Sequence, residues 1–191
     1  PDIASYADLK GKTVAVDAPN TAYAFLLYEM LRLKGLNKGD YEVKVVGATF
    51  KRLEALQQDK TIKASMLIPP FSFRAVKAGL KDWGEATKAV GPYQASAGFV
   101  MRPWAAQNAD TLVKYLAAHL EGLRWASDPK NKAAAIKLYM DGLKLPEDIA
   151  AQAYDAAMTG RAKDAAFDME GFKNVLALRA RLMRALTATV L

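Results

Sequence analysis

Cysteine is absent from the 191-residue sequence, and histidine occurs once, as His119. The first absence excludes disulfides, thiolate zinc sites and a cysteine nucleophile together. It is compatible with an oxidising compartment and does not require one. A single imidazole leaves metal and acid–base chemistry of the histidine kind almost no material, so neither a metal site nor a cofactor is expected. No apolar run reaches the roughly 18 residues that a transmembrane helix needs. The opening stretch, PDIASYADLKGK, is polar and lacks a signal-peptide apolar core. Neither a Gly-rich phosphate loop nor a nucleophile elbow occurs.

Hydrophobic residues make up 52% and charged residues 25%, a balance that can bury a core. A formal net charge of +7 could draw the chain to nucleic acid, an anionic surface or small anions. The lysines and arginines are scattered, mostly opposite apolar helix faces, which reads as a solvated positive surface. No basic stripe is interleaved with aromatics, so nucleic acid is not an expected partner.

The first half alternates short apolar strands with amphipathic helices. The pattern predicts a strand over 13–17 (TVAVD), a helix from Thr21 to Lys34 capped by Asn20, and a stop at Gly35. A second strand is predicted over 41–47 (YEVKVVG), then a helix over 50–58 capped by Thr49. A third strand is predicted over 64–70 (ASMLIPP), closed by two prolines that cannot continue a ladder, then a helix from Phe71 to Lys77. Short connections in this order imply a parallel sheet wrapped by helices, an α/β fold. Residues 93–102 (YQASAGFVMR) read as one more extended segment. From Ala105 onward the periodicity is helical, with helices expected over 109–126, 130–142, 147–159 and 169–189.

Three phrases carry a resemblance. DLKGKTVAVDAPNTAYAFLLYEML at 8–31 resembles the opening of the second lobe in type 2 periplasmic binding proteins of ABC importers. ASMLIPPFSFRAVKAGL at 64–80 is similar to the later strand and cleft loop of that lobe. WAAQNADTLVKYLAAHLEGLRWASDPKNKAAAIKLYM at 104–140 is similar to the helices that return to the first lobe. The branch is the nitrate, sulfonate, taurine and thiamine-precursor binding group. The resemblance implies a parallel-sheet lobe over 1–92 followed by a hinge strand and C-terminal helices over 93–191. It further implies that these helices pack on a lobe-one segment that has no counterpart before Pro1. The apolar stripes of the later helices would then favour self-association, so a homo-oligomer is one expected outcome.

Binding proteins of this kind close two lobes over a ligand, and strand ends with helix N-termini converge on the crevice. The implied ligand contacts are Asn20, Thr21, Ala22 and Tyr23 after the first strand, Pro70, Phe71, Ser72 and Arg74 after the third, and Ser96. Asn20 and Thr21 can donate hydrogen bonds, Tyr23 and Phe71 can wall a pocket, and Arg74 can pair with an anion. Each also has a plain structural reading: a helix cap, a core aromatic, a surface cation, a small residue in a tight strand. Trp83, Trp104, Trp125 and His119 read as packing or surface residues. The expected function is capture of a small anionic or heterocyclic solute outside the cytoplasm, in the periplasm, for delivery to an ABC permease, without catalysis. A related group makes a pyrimidine precursor by iron-dependent chemistry, but with cysteine- and histidine-rich segments this chain lacks. The alternative is a truncated fragment acting as a self-associating or effector-sensing module.

Overall fold

Val14 and Val16 point to one side of a four-residue strand, β1 (Thr13–Val16), and both are buried. The helix that follows, α1 (Ala22–Leu33), presents Ala24, Leu27 and Leu31 to that side at a spacing of three and four residues. Leu9, Leu36 and Tyr41 complete this core, and Tyr6 and Trp83 lie against it with ring centroids 4.5 Å apart. Each such leucine contributes about 1.5–3 kcal/mol through burial. The computed structural model describes residues 3–159 and 164–187.

Gly35 ends α1 as expected. It takes a φ of 85°, and the amide of Leu36 reaches back to the carbonyl of Leu31 at 2.9 Å. The chain then forms β2 (Glu42–Val45), α2 (Thr49–Gln58), β3 (Ile62–Ser65), α3 (Phe71–Lys77) and the short α4 (Ala86–Val90). The sheet is parallel throughout, in the order β2-β1-β3. Val14 pairs with Val43 and Val16 with Val45 on one side; Val14 pairs with Ala64 on the other. Because β1 is central, the chain leaves it first toward one edge and then crosses back to the other.

The rest is helical: α5 (Arg102–Gln107), α6 (Ala109–Ser127), α7 (Lys132–Leu143), α8 (Glu147–Thr159) and α9 (Met169–Thr187). Two compact units result. One holds the residues up to Ala95 together with those from Asp168 onward, so that α9 packs with α1; the other runs from Ser96 to Phe167. In the second unit Ala135, Leu145, Ile149, Ala150 and Ala153 bury the seam of the α7–α8 hairpin. There the hydroxyl of Tyr154 donates to the carbonyl of Ala126 at 2.7 Å.

Several local expectations are corrected. Residues 93–102 form no strand. At the start of this stretch two side chains are engaged elsewhere: the Tyr93 hydroxyl donates to the Ala22 carbonyl at 3.1 Å, and Gln94 Oε1 accepts from the amide of Asp168 at 3.2 Å. Arg102 begins α5 rather than ending a strand. The third strand lies at Ile62–Ser65, not at 64–70, because the Met66 carbonyl is taken by Arg52 instead of a neighbouring strand. Thr21, not Asn20, caps α1; its Oγ1 accepts from the Ala24 amide at 3.1 Å. Ala48 occupies the cap position of α2, and Thr49 is already helical. The end of the last predicted helix, residues 188 and 189, lies outside the described residues.

Candidate functional site at the carboxyl edge of the sheet

In a parallel sheet every strand carboxyl end opens on the same edge, and a change of winding direction leaves a crevice there. Here the edge carries three loops: 17–21 after β1, 46–48 after β2 and 66–70 after β3. The sequence-predicted residues divide among them. Asn20, Thr21, Ala22 and Tyr23 form the β1–α1 junction, and Pro70, Phe71, Ser72 and Arg74 the β3–α3 junction, so the topology brings both groups to one edge. Ser96 does not join them in the first unit; it is an exposed residue of the second.

The β1–α1 junction is built around Thr21. Its hydroxyl donates to Asp17 Oδ1 at 2.6 Å while the same oxygen accepts from Ala24. The loop is thereby closed on itself, and the helix begins at Ala22. The amides of Ala22 and Tyr23, in the first turn, have no intrahelical acceptor and stand at the positive end of the helix dipole. Tyr23 is half-buried. Asn20 is exposed, and its carbonyl accepts from Arg179 Nη1 at 3.4 Å.

At the second junction Pro70 is buried after a cis Pro69–Pro70 bond, and Phe71 and Ser72 are half-buried. Ser72 does not cap the helix. It lies within the first turn, where its amide donates to the Ile68 carbonyl at 3.2 Å. Arg74 is exposed, and its guanidinium lies over the Phe71 ring, 5.8 Å from the centroid.

Two residues that sequence reasoning did not single out hold these loops. Arg52, on α2, is 2% exposed. Its Nη1 donates to the Gly47 carbonyl, its Nε and Nη2 to the Met66 carbonyl at 3.3 and 3.1 Å, and Nη2 also to Thr49 Oγ1 at 3.2 Å. One guanidinium thus joins the loop after β2 to the loop after β3. Burial lowers its pKa from the usual arginine value, opposed by the nearby charge of Asp17 and by Tyr23. Asp17 is the second residue missed. Its place directly after TVAV is a readable signal, since polar residues at a strand's carboxyl end face the crevice. Arg52 has no such signal, because in KRLEAL it is indistinguishable from a solvated helical arginine.

The edge therefore offers the Ser72 and Tyr23 hydroxyls, amides of a helix first turn and aromatic side chains, with a buried cation nearby whose own N–H groups are taken by the loops. It is a setting suited to an anionic or carbonyl oxygen. Among the described residues no group of three His, Asp or Glu side chains is placed to hold a metal ion. Likewise, no helix among them is long and apolar enough to cross a membrane.

Solved structures share this architecture. The periplasmic aliphatic sulphonate binding protein SsuA from Escherichia coli matches with a TM-score of 0.68 at 20% identity, covering 98% of this chain and 58% of its own. The alkanesulfonate-binding protein SsuA from Xanthomonas axonopodis pv. citri, solved with MOPS bound, matches with a TM-score of 0.71 at 17% identity, covering 95% of this chain and 60% of its own. The chain thus spans about three fifths of the length of the solved structures it matches. A comparison with curated protein sequences gives no significant match. The fold expected from the resemblance, that of type 2 periplasmic binding proteins, is the fold observed over this span. The sequence model of the NMT1-like family matches residues 2–140, well over half of the chain, and the chain belongs to that family.

Proposed function

We propose that the chain is part of the substrate-binding component of an ABC importer, capturing a small anionic solute of the sulfonate class at the carboxyl edge of its sheet. In this reading the sheet-bearing unit is the second lobe of a two-lobed periplasmic protein that hands its ligand to a membrane permease and transforms nothing. The observation that carries the reading is the convergence of the β1–α1 and β3–α3 junctions on one sheet edge, where a buried cation joins the loops after β2 and β3. The sulfonate class is favoured because two structures of the same fold are sulfonate-binding proteins.

Asn20, Thr21, Ala22, Tyr23, Pro70, Phe71, Ser72 and Arg74, all in the sheet-bearing unit, are the proposed ligand contacts. Titration calorimetry with pentanesulfonate tests this, and saturable heat from the unmodified chain is expected. The Asn20→Ala/Thr21→Ala double variant should bind more weakly by about 1–3 kcal/mol, the cost of leaving a buried polar ligand group without its partner. Undiminished affinity in the double variant refutes the contact assignment, and chemical conversion of the ligand refutes the non-catalytic reading.

A further inference from the structure

Strand carboxyl ends turn carbonyl oxygens toward the crevice, and carbonyl oxygens repel an anion. Just beyond β2 and β3 two carbonyls at this edge, those of Gly47 and Met66, are hydrogen-bonded by one guanidinium. Arg52 also holds the Thr49 hydroxyl oxygen at 3.2 Å, so three acceptors are turned inward on a side chain that is 2% exposed. Among the described residues Arg52 makes no ion pair; its hydrogen-bond partners are uncharged. A full positive charge therefore stands buried against the loops after β2 and β3, where low dielectric lengthens its reach and salt screens it little. Asp17, in the β1–α1 loop, is the carboxylate whose field acts on it.

We infer that Arg52 is a specificity-determining residue that acts from beneath the site: it withdraws the Gly47 and Met66 carbonyls from the ligand and selects an anionic over a neutral head group. The inference rests on the binding reading above. It adds a residue that would touch no ligand, and a charge preference that Asp17 moderates.

The experiment compares pentanesulfonate with pentanesulfonamide, which shares the tail and the tetrahedral sulfur but is neutral at pH 7. Affinities are measured by calorimetry for the unmodified chain, Arg52→Gln, Arg52→Lys and Asp17→Asn, with circular dichroism confirming that each variant is folded. Arg52→Gln should cut the preference for the sulfonate by about tenfold or more, and Arg52→Lys, which restores the charge, should recover much of it. Equal weakening of both ligands in Arg52→Gln would show a purely structural arginine and overturn the inference. If Arg52→Gln does not fold, Asp17→Asn decides. Removing the opposing charge should raise the preference for the sulfonate, and an unchanged or lowered preference overturns the inference. Failure of the unmodified chain to bind either compound sinks the binding reading itself, a different result from the loss of selectivity in a variant.

Discussion

Tyr41 is 7% exposed, in the core beside Leu36, with its ring stacked on that of Tyr28 at 6.4 Å. Burial, with Tyr28 and Asp40 nearby, pushes its phenol up to about 12 from 10.0. In the unfolded chain the phenol ionises first, so the folded form holds its proton over a range where the unfolded form has lost it. Tyr41's contribution is therefore present in full below about pH 10 and is lost as pH rises toward 12, by roughly 2–3 kcal/mol in total. Urea denaturation at pH 9 and at pH 11.5 should show this fall, and Tyr41→Phe should flatten it. An equally steep fall in the phenylalanine variant would place the titration elsewhere. At Gly171, in the first turn of α9, space rather than backbone conformation is limiting. A methyl group there would meet the Asp168 carboxylate and come within 2.8 Å of the Gln94 backbone nitrogen. Gly171→Ala should cost about 1–3 kcal/mol by overpacking, and an unchanged melting temperature would contradict it.

Among the elements, α9 is attached to α1 by a buried carboxylate. Glu29, its side chain 8% exposed, takes a forked pair of bonds from Arg32 at 2.8 and 2.9 Å and a third from Arg181 at 2.6 Å. The Arg32 bonds hold its carboxyl below the usual carboxylate range, burial opposes them, and Arg181 adds to the lowering. A lowered folded pKa stabilises above the unfolded value and is lost as pH falls through the folded one, so this attachment weakens below about pH 4. Both arginines are about half exposed, which limits the cost of Glu29→Gln to about 1–2 kcal/mol at pH 7. Chemical denaturation at pH 7 and pH 3 should show the variant's deficit shrinking in acid. A deficit that persists undiminished at pH 3 would rule out the ionic account. Nothing in the periodicity of α1 marks Glu29 as buried, because the partner that covers it arrives about 150 residues later.

For the whole molecule, both units leave large apolar side chains uncovered. In the second, Val113 (63%), Tyr115 (66%), Leu116 (49%) and Leu138 (62%) are exposed, as are Phe99 (89%) and Met101 (69%). Leu112, Leu120 and Leu123, also on α6, are partly or wholly covered. Exposed apolar side chains of this number bind a hydrophobic dye. The native chain should enhance the fluorescence of anilinonaphthalene sulfonate. Val113→Lys/Leu116→Lys should reduce the signal while changing stability by no more than about 0.5 kcal/mol, as exposed substitutions do. Unaltered dye fluorescence in that variant would mean the dye reads another surface.

The sequence by itself determined the order and type of most elements: three short strands, the helix beginning at Glu147, and the stop at Gly35. Those follow from local rules of apolar spacing, β-branched runs, proline and glycine, which act over a few residues. It also determined which junctions lie at strand ends, and hence placed Thr21, Tyr23, Phe71 and Ser72 at the edge of the sheet. Tertiary structure alone decided that the third strand ends at Ser65, that residues 93–102 form no strand, and that α9 packs with α1. It alone decided that Arg52 and Glu29 are buried. In each case a side chain meets a partner distant in sequence: Arg52 the Met66 carbonyl, Gln94 the Asp168 amide, Glu29 the Arg181 guanidinium. Whether a charge faces water or a buried acceptor depends on what the fold sets opposite it, and periodicity within one segment carries no record of that.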